Sequence, residues 1–242
     1  MLLGRRLVHL LGVLVLVMVC SCSSGDDGET TAATTVPPTA EAVLERSASA
    51  MADVRFVAFE LQRTGAEVAL DPGGQLVFDS AEGRYAAPSS SEARIEVTAA
   101  GFHTRVAAVV IDGETWITNP LTGRWEDAPA SLSFDPAVLF DPTTGWPALL
   151  RDGLESPQLV DDGQGDRQHV RGTLPGPQVS TLTGGLADRS TEVDLWIDAG
   201  TGQVDECRFE APTDDGTSAW TLELKDYGEQ TTIERPELGS SG

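Results

Sequence analysis

The chain has 242 residues, 16 of them basic and 38 acidic, so its formal net charge is −22, and Lys225 is its single lysine. A surface this acidic repels phosphate backbones and anionic headgroups, which excludes a nucleic-acid-binding role. Three cysteines, Cys20, Cys22 and Cys207, leave no room for a disulfide framework of several bridges.

The chain opens with Arg5-Arg6 followed by the uncharged apolar run Leu7 to Val19, the pattern of an export signal. The run is shorter than the roughly 20 residues a spanning helix needs. Val19-Cys20-Ser21-Cys22 then resembles a bacterial lipobox, with small Ser21 just before Cys22. Cleavage before Cys22 is expected. Cys20 is the alternative, less suited because bulky Val19 would sit where the peptidase takes a small residue. The lipobox resemblance implies a diacylglyceryl thioether on the cysteine and an acyl chain, such as palmitate, on the new amino group. One fatty chain holds a protein only marginally, whereas two or more anchor it stably. Residues 1–21 are therefore expected as a lipoprotein signal and residues 22–38 as a flexible tether of Ser, Gly, Asp, Thr and Pro. Residues 39–236 are expected as a single domain and 237–242 as a disordered tail.

Thr39 can cap a helix through about Met51, with Val43, Leu44, Ser47, Ala48 and Met51 on one stripe. The period then changes to that of strands. VRFVAFELQ, EVAL, GQLVFDS, EARIEVTA, TRVAAVVIDGETWIT and GRWED follow one another with tight turns between them, Asp112-Gly113 the clearest. This predicts an antiparallel meander. The middle segment SFDPAVLFDPTTGWPALLRDG holds two Asp-Pro steps, Asp135-Pro136 and Asp141-Pro142, each suited to opening a short helix with Pro at its first position. RQHVRGTL, a helical turn near Val179 to Leu182, TEVDLWIDAGTGQVDECRFEA, SAWTLELKDYG and TTIERP complete the sheet.

Alternation places Val57, Phe59 and Leu61 on one side, as it does Leu76 with Phe78, Ile95 with Val97, and Leu222 with Leu224. Two architectures fit that pattern, a packed α+β core, which pattern alone favours, and a strongly curved sheet that leaves a hollow. Cys207 is expected as a small core residue. His103 and His169 are expected on the solvent side, and no HExxH, GxSxG or CxxC motif accompanies them, so the chain is not expected to be an enzyme. Asp161, Asp162 and Asp166, and Asp214 with Asp215, lack calcium-loop spacing and read as solvated turns, as do Gly73-Gly74 and Gly184-Gly185. No metal or other cofactor is expected.

The lipobox, the tether, VVIDGETWIT…GRWED, SFDPAVLFDPTTGWPALL, HVRGTL, DLWIDAGTGQVDECRFE and LELKDYGE…IERP, in that order, resemble the actinobacterial (mycobacterial-type) envelope lipoproteins of the LppX and LprAFG family. The resemblance covers Thr39 to Pro236. It implies an α+β fold, a strongly curved antiparallel half-barrel sheet with helices covering its concave face, similar to periplasmic lipoprotein carriers of the LolA type. It also implies an apolar cavity, large enough for several acyl chains, in a lipoprotein anchored on the extracytoplasmic side of the cell membrane. Such a protein would carry lipid or glycolipid cargo within the cell envelope as a monomer, with a membrane transporter as a partner that loads it. Ile95, Val97, Val106, Ala108 and Val110 would line that cavity from the strands, and Leu139, Phe140, Trp146, Leu149 and Leu150 from the covering helices. Val57, Phe59, Leu61, Leu76, Phe78, Leu222 and Leu224 join them on the alternation above. Two departures stand out: Trp116 where the family motif has Tyr, and Gly145-Trp146-Pro147 where the family has Gly-Leu, a Trp that would narrow the mouth. The competing reading is a non-transporting envelope scaffold or sensor.

Overall fold

The computed structural model describes residues 38–71, 73–99, 101–128, 135–163, 165–213 and 215–240. The expected signal, Cys20, Cys22 and the tether up to residue 37 lie outside the described residues.

The first helix, α1, spans Ala40–Ala52. Thr39 Oγ1 accepts the Ala42 N–H at 3.2 Å, and all five residues of the expected stripe are buried. Every long element after it is a strand. β1 (Phe56–Gly65), β2 (Leu76–Ala86), β3 (Ser90–Ala99), β4 (Phe102–Ile111), β5 (Glu114–Thr118) and β6 (Trp125–Asp127) form one antiparallel meander. β7 (Glu155–Val160), β8 (Arg167–Leu174), β9 (Thr191–Asp198), β10 (Val204–Thr213) and β11 (Gly216–Lys225) form a second. The first and last strands pair, so the two meanders fuse into one open 11-stranded sheet in the order β6-β5-β4-β3-β2-β1-β11-β10-β9-β8-β7. This is the half-barrel sheet that the family resemblance implies.

The topology explains where the helices go. β6 and β7 are the two outer edges, so the chain between them must cross the width of the sheet. That crossing carries the 3-10 helix Pro136–Phe140, the short helix α2 (Trp146–Ala148) and a π-helical turn, Leu149–Gly153, over the concave face. Their side chains Leu139, Phe140, Trp146, Leu149 and Leu150 join α1 and inward residues of β1 to β3 and β8 to β11 in one buried core, with Phe140 stacked on Tyr85 at 4.4 Å. Gly172 makes the fit possible, since a Cβ there would come within 2.7 Å of the Leu154 side chain. The third helix, α3 (Gly176–Thr183), spans the β8–β9 connection and ends on left-handed Gly184.

Several local expectations need correction. Ala69, in the EVAL stretch, makes only an isolated bridge to Val77. The edge strand β7, with Pro157 and a register shift that blunt a free edge, is absent from the sequence reading because its ESPQLV run carries little β-branched signal. TTIERP is not a strand. After β11 the chain runs as an irregular strap over the convex face: the Gly228 N–H bonds Phe56 O, and Arg235 lies 4.5 Å over the outward-facing Trp116 ring. The strap ends against the β6 edge, where Gly239 N–H donates to Trp125 O and Trp125 N–H donates to Ser240 O. Residues 237–240, expected as a disordered tail, are therefore hydrogen-bonded edge cover.

The two Asp-Pro steps diverge. Asp135 caps the 3-10 helix as expected, its Oδ1 accepting the Ala137 N–H at 2.9 Å. Asp141 instead ties a turn: its Oδ1 accepts from Thr143 N–H (2.8 Å), Thr143 Oγ1 (2.6 Å), Thr144 N–H (3.0 Å) and Thr144 Oγ1 (3.0 Å), and the helix begins only at Trp146. Those bonds, the Thr143 hydroxyl first, hold the Asp141 carboxyl below its ordinary 3.8. A carboxylate with a depressed folded value stabilises the fold above its unfolded value, and that contribution is lost as pH falls through the folded one. Asp141→Ala is thus expected to cost about 1 kcal/mol at pH 7, the scale of a lost cap. In urea unfolding at successively lower pH, the gap to the parent should close only below pH 3.8.

Candidate functional site

One row of the inward face accounts for the site. Reading across the register from β1 to β5, the aligned residues are Phe59, Gly83, Ala93, Ala108 and Ile117. Small side chains in the middle of that row cannot reach the covering elements. Gly83 has lost even its methyl space: a Cβ there would come within 2.1 Å of Glu92 O and 2.5 Å of the Phe59 ring. In the next row, Leu61, Ala81, Ile95 and Val106, only Ala81 is comparably small. The gap so left is a cavity of about 170 Å³.

Its floor is the sheet, formed by Leu61, Leu76, Phe78, Ala81, Ser91, Ala93, Ile95, Val97, Val106, Ala108, Val110, Thr115 and Ile117. Leu70, Pro120, Pro136 and, at the α3 end, Thr183, Gly184 and Leu186 close its sides. The wall is almost all carbon, and the hydroxyls of Thr183 and Ser91 on it are already engaged. Thr183 Oγ1 donates to Val179 O at 2.9 Å and accepts the Ala187 N–H at 3.0 Å. Ser91 Oγ lies 3.5 Å from Asp135 Oδ1, and burial raises the Asp135 carboxyl above its ordinary value. Such a site offers chiefly shape and apolar contact.

Of the expected lining residues, the structure brings Leu61, Leu76, Phe78, Ile95, Val97, Val106, Ala108 and Val110 to this wall. The other nine stand elsewhere. Val57, Phe59, Leu222 and Leu224, and with them Leu139, Phe140, Trp146, Leu149 and Leu150, are buried in the packed core. The hollow lies over β2 to β5, and Trp146, fully buried in the packed core, is not part of its wall. The volume also corrects an expectation: it falls below the roughly 300–1,000 Å³ of ordinary ligand pockets, and further below room for several chains. The alanines Ala81 and Ala93 were the missed signal, being inward strand positions too small to fill a core.

The two histidines lie on the other face. His103 is exposed, its Nδ1 3.0 Å from Thr98 Oγ1. His169, expected in solvent, is buried: it stacks on Trp196 at 4.5 Å, with Nε2 2.6 Å from Asp194 Oδ1 and Nδ1 3.3 Å from Asp162 Oδ2. Partial burial works to raise the Asp194 carboxyl, but its bonds to Arg171 and His169 prevail and hold it low. Arg208 lies 4.8 Å over the same Trp196 ring, completing a convex-face cluster remote from the hollow. Cys207 is fully buried in the core, and desolvation pushes its thiol well up, as an inert core residue requires.

The family model described as LppX_LprAFG lipoprotein matches residues 39–233. Among solved structures, the chain is similar to LprF from Mycobacterium bovis at 17% identity, over 81% of this chain and 96% of that one, with a TM-score of 0.61. It is similar to the lipoprotein LppX from Mycobacterium tuberculosis at 19% identity, over 81% of this chain and 98% of that one, with a TM-score of 0.54. Likeness at these identities concerns the fold. No curated protein matches this chain.

Proposed function

This chain belongs to the LppX_LprAFG lipoprotein family, and from that premise we propose that it is a membrane-anchored extracytoplasmic lipoprotein that binds an acyl chain of a lipid or glycolipid and carries it within the cell envelope. The observation that supports this reading is the carbon-lined hollow over β2 to β5. Each methylene removed from water is worth about 0.8 kcal/mol, so a fatty chain leaves a bilayer readily only into a dry, apolar receptacle. A hollow of about 170 Å³ takes part of one acyl chain, and selection is by shape. The anchor is proposed on Cys22 and the loading partner, a membrane transporter, is part of the same reading.

The solid packing of nine expected lining residues favours a second reading, an envelope scaffold or sensor that carries no lipid. Native mass spectrometry of the full chain from a lipoprotein-processing host separates the two. The carrier reading expects one retained acyl lipid per chain, on a protein cleaved and acylated at Cys22. A chain free of lipid after purification from its own membranes would refute it.

A further inference from the structure

Phe102 and Leu121 are 78% and 92% exposed. Phe102 begins β4 and alternates onto the same face as Val106, Ala108 and Val110 of the cavity wall. Leu121 follows Pro120, itself part of the wall. β5 runs antiparallel to β4, with Ala108 opposite Ile117, so the β5–β6 turn travels back along β4 toward Phe102. Two hairpin tips thus present large apolar side chains at one end of one cavity.

Gly101–Thr104 and Asn119–Arg124 contain no acidic residue in a protein with 38 of them, and their ionisable side chains are His103 and Arg124. Two carboxylates approach them from outside: Asp79, whose Oδ2 lies 3.4 Å from His103 Nδ1, and Glu126, whose Oε1 and Oε2 accept from Asn119 Nδ2 at 3.2 and 3.4 Å. The β5–β6 turn is also satisfied from within. Asn119 Oδ1 accepts the Leu121 and Thr122 N–H groups at 3.0 and 3.1 Å, and Asn119 O accepts the Gly123 N–H at 2.8 Å. Backbone donors already paired can enter a medium poor in water at little cost, which leaves Leu121 to be presented alone.

We propose that these two tips are a bilayer-contacting rim: Phe102 and Leu121 dip into the boundary between headgroups and acyl chains of a phospholipid membrane, and an acyl chain passes between bilayer and hollow across them. The inference rests on the carrier reading for its purpose, but contact with the bilayer is measurable without it. Interfacial insertion of apolar side chains typically reaches about 5–10 Å below the headgroups, shallow enough for two hairpin tips. The acid-free tips let an otherwise strongly negative body approach a phosphate-bearing surface.

The test uses the full anchored chain in phosphatidylcholine vesicles, with Phe102→Cys, Leu121→Cys or Gln230→Cys labelled by an environment-sensitive fluorophore. Buried Cys207 escapes labelling, and the signal of the unsubstituted chain is subtracted. Gln230 is exposed at the other end of β1, two residues past the Gly228 bond to Phe56. With brominated acyl chains in the vesicles, labels at 102 and 121 are expected to be quenched at least threefold more than the label at 230. Absent quenching, or equal quenching at all three positions, overturns the rim. A second arm measures lipid exchange: Phe102→Asp with Leu121→Asp is expected to slow exchange between vesicle and protein at least tenfold, with the equilibrium amount of retained lipid unchanged. Unchanged exchange by a lipid-retaining chain also overturns the rim, whereas a parent chain that never retains lipid overturns the carrier reading and leaves the quenching result to decide the rim alone.

Discussion

Ala108→Phe is expected to reduce retained acyl lipid at least tenfold while leaving the unfolding free energy within about 1 kcal/mol of the parent. Ala108 sits at the centre of the hollow floor, with Ala93 and Ile117 directly across on the two neighbouring strands. A phenyl ring there projects into a space of about 170 Å³, and a void of roughly 150 Å³ is known to accommodate a benzene-sized group. Overpacking usually costs about 1–3 kcal/mol, but here the added ring meets empty apolar volume, and its burial offsets the crowding. The change therefore removes the receptacle without removing the fold. Ala107→Phe, one residue along on the outward face, supplies the comparison and is expected to retain lipid at the parent level. Mass spectrometry of co-purified lipid, with urea unfolding alongside, reads both. Equal retention by Ala108→Phe and the parent would mean that lipid binds somewhere other than this hollow.

The sequence carried the parts of the fold that are decided locally. The α1 stripe was legible because Thr39 caps the helix and five apolar or small residues recur at helical spacing. The β4–β5 hairpin was legible because Asp112-Gly113 takes positive φ at both turn positions, at 52° and 80°. Alternation likewise separated the two faces of the sheet. What it could not convey was which stretch of the inward face is covered tightly. That depends on register: only the pairing of Gly83, Ala93 and Ala108 across three strands reveals a row too small to meet the helices. It depends also on the crossing from β6 to β7, which lays the 3-10 helix on β2 and β3, with Phe140 stacked on Tyr85 at 4.4 Å, and Trp146 against α1. His169 was misplaced for a similar reason, since its burial comes from Trp196 on the neighbouring strand and from Asp162 in the loop beyond β7. The strap reads as strand-like in sequence, yet it crosses strands instead of pairing along one, so composition held no sign of its course.

Trp146→Ala is expected to be the most destabilising single change, at about 4 kcal/mol in urea unfolding, without a direct effect on the hollow. Trp146 is fully buried, on a helix of three residues whose own hydrogen bonds contribute little, so the crossing segment is held chiefly by this side chain and its neighbours. Truncating a buried Trp typically costs about 3–5 kcal/mol. Relaxation is hindered beneath it, because Gly145 already approaches the backbone so closely that a Cβ would meet Leu139 O at 2.3 Å. The indole carries a second, opposing contribution: Nε1 is buried with no hydrogen-bond partner among the described residues. An unmet buried donor costs about 1–3 kcal/mol. Trp146→Phe loses packing area but also loses that donor, so it should fall within about 1 kcal/mol of the parent. Because Trp146 is not part of the cavity wall, the Phe variant should also retain as much acyl lipid as the parent. A Phe variant as unstable as the Ala variant would show that packing alone governs the position, and a Phe variant that folds normally but loses or gains lipid would place Trp146 at the mouth after all.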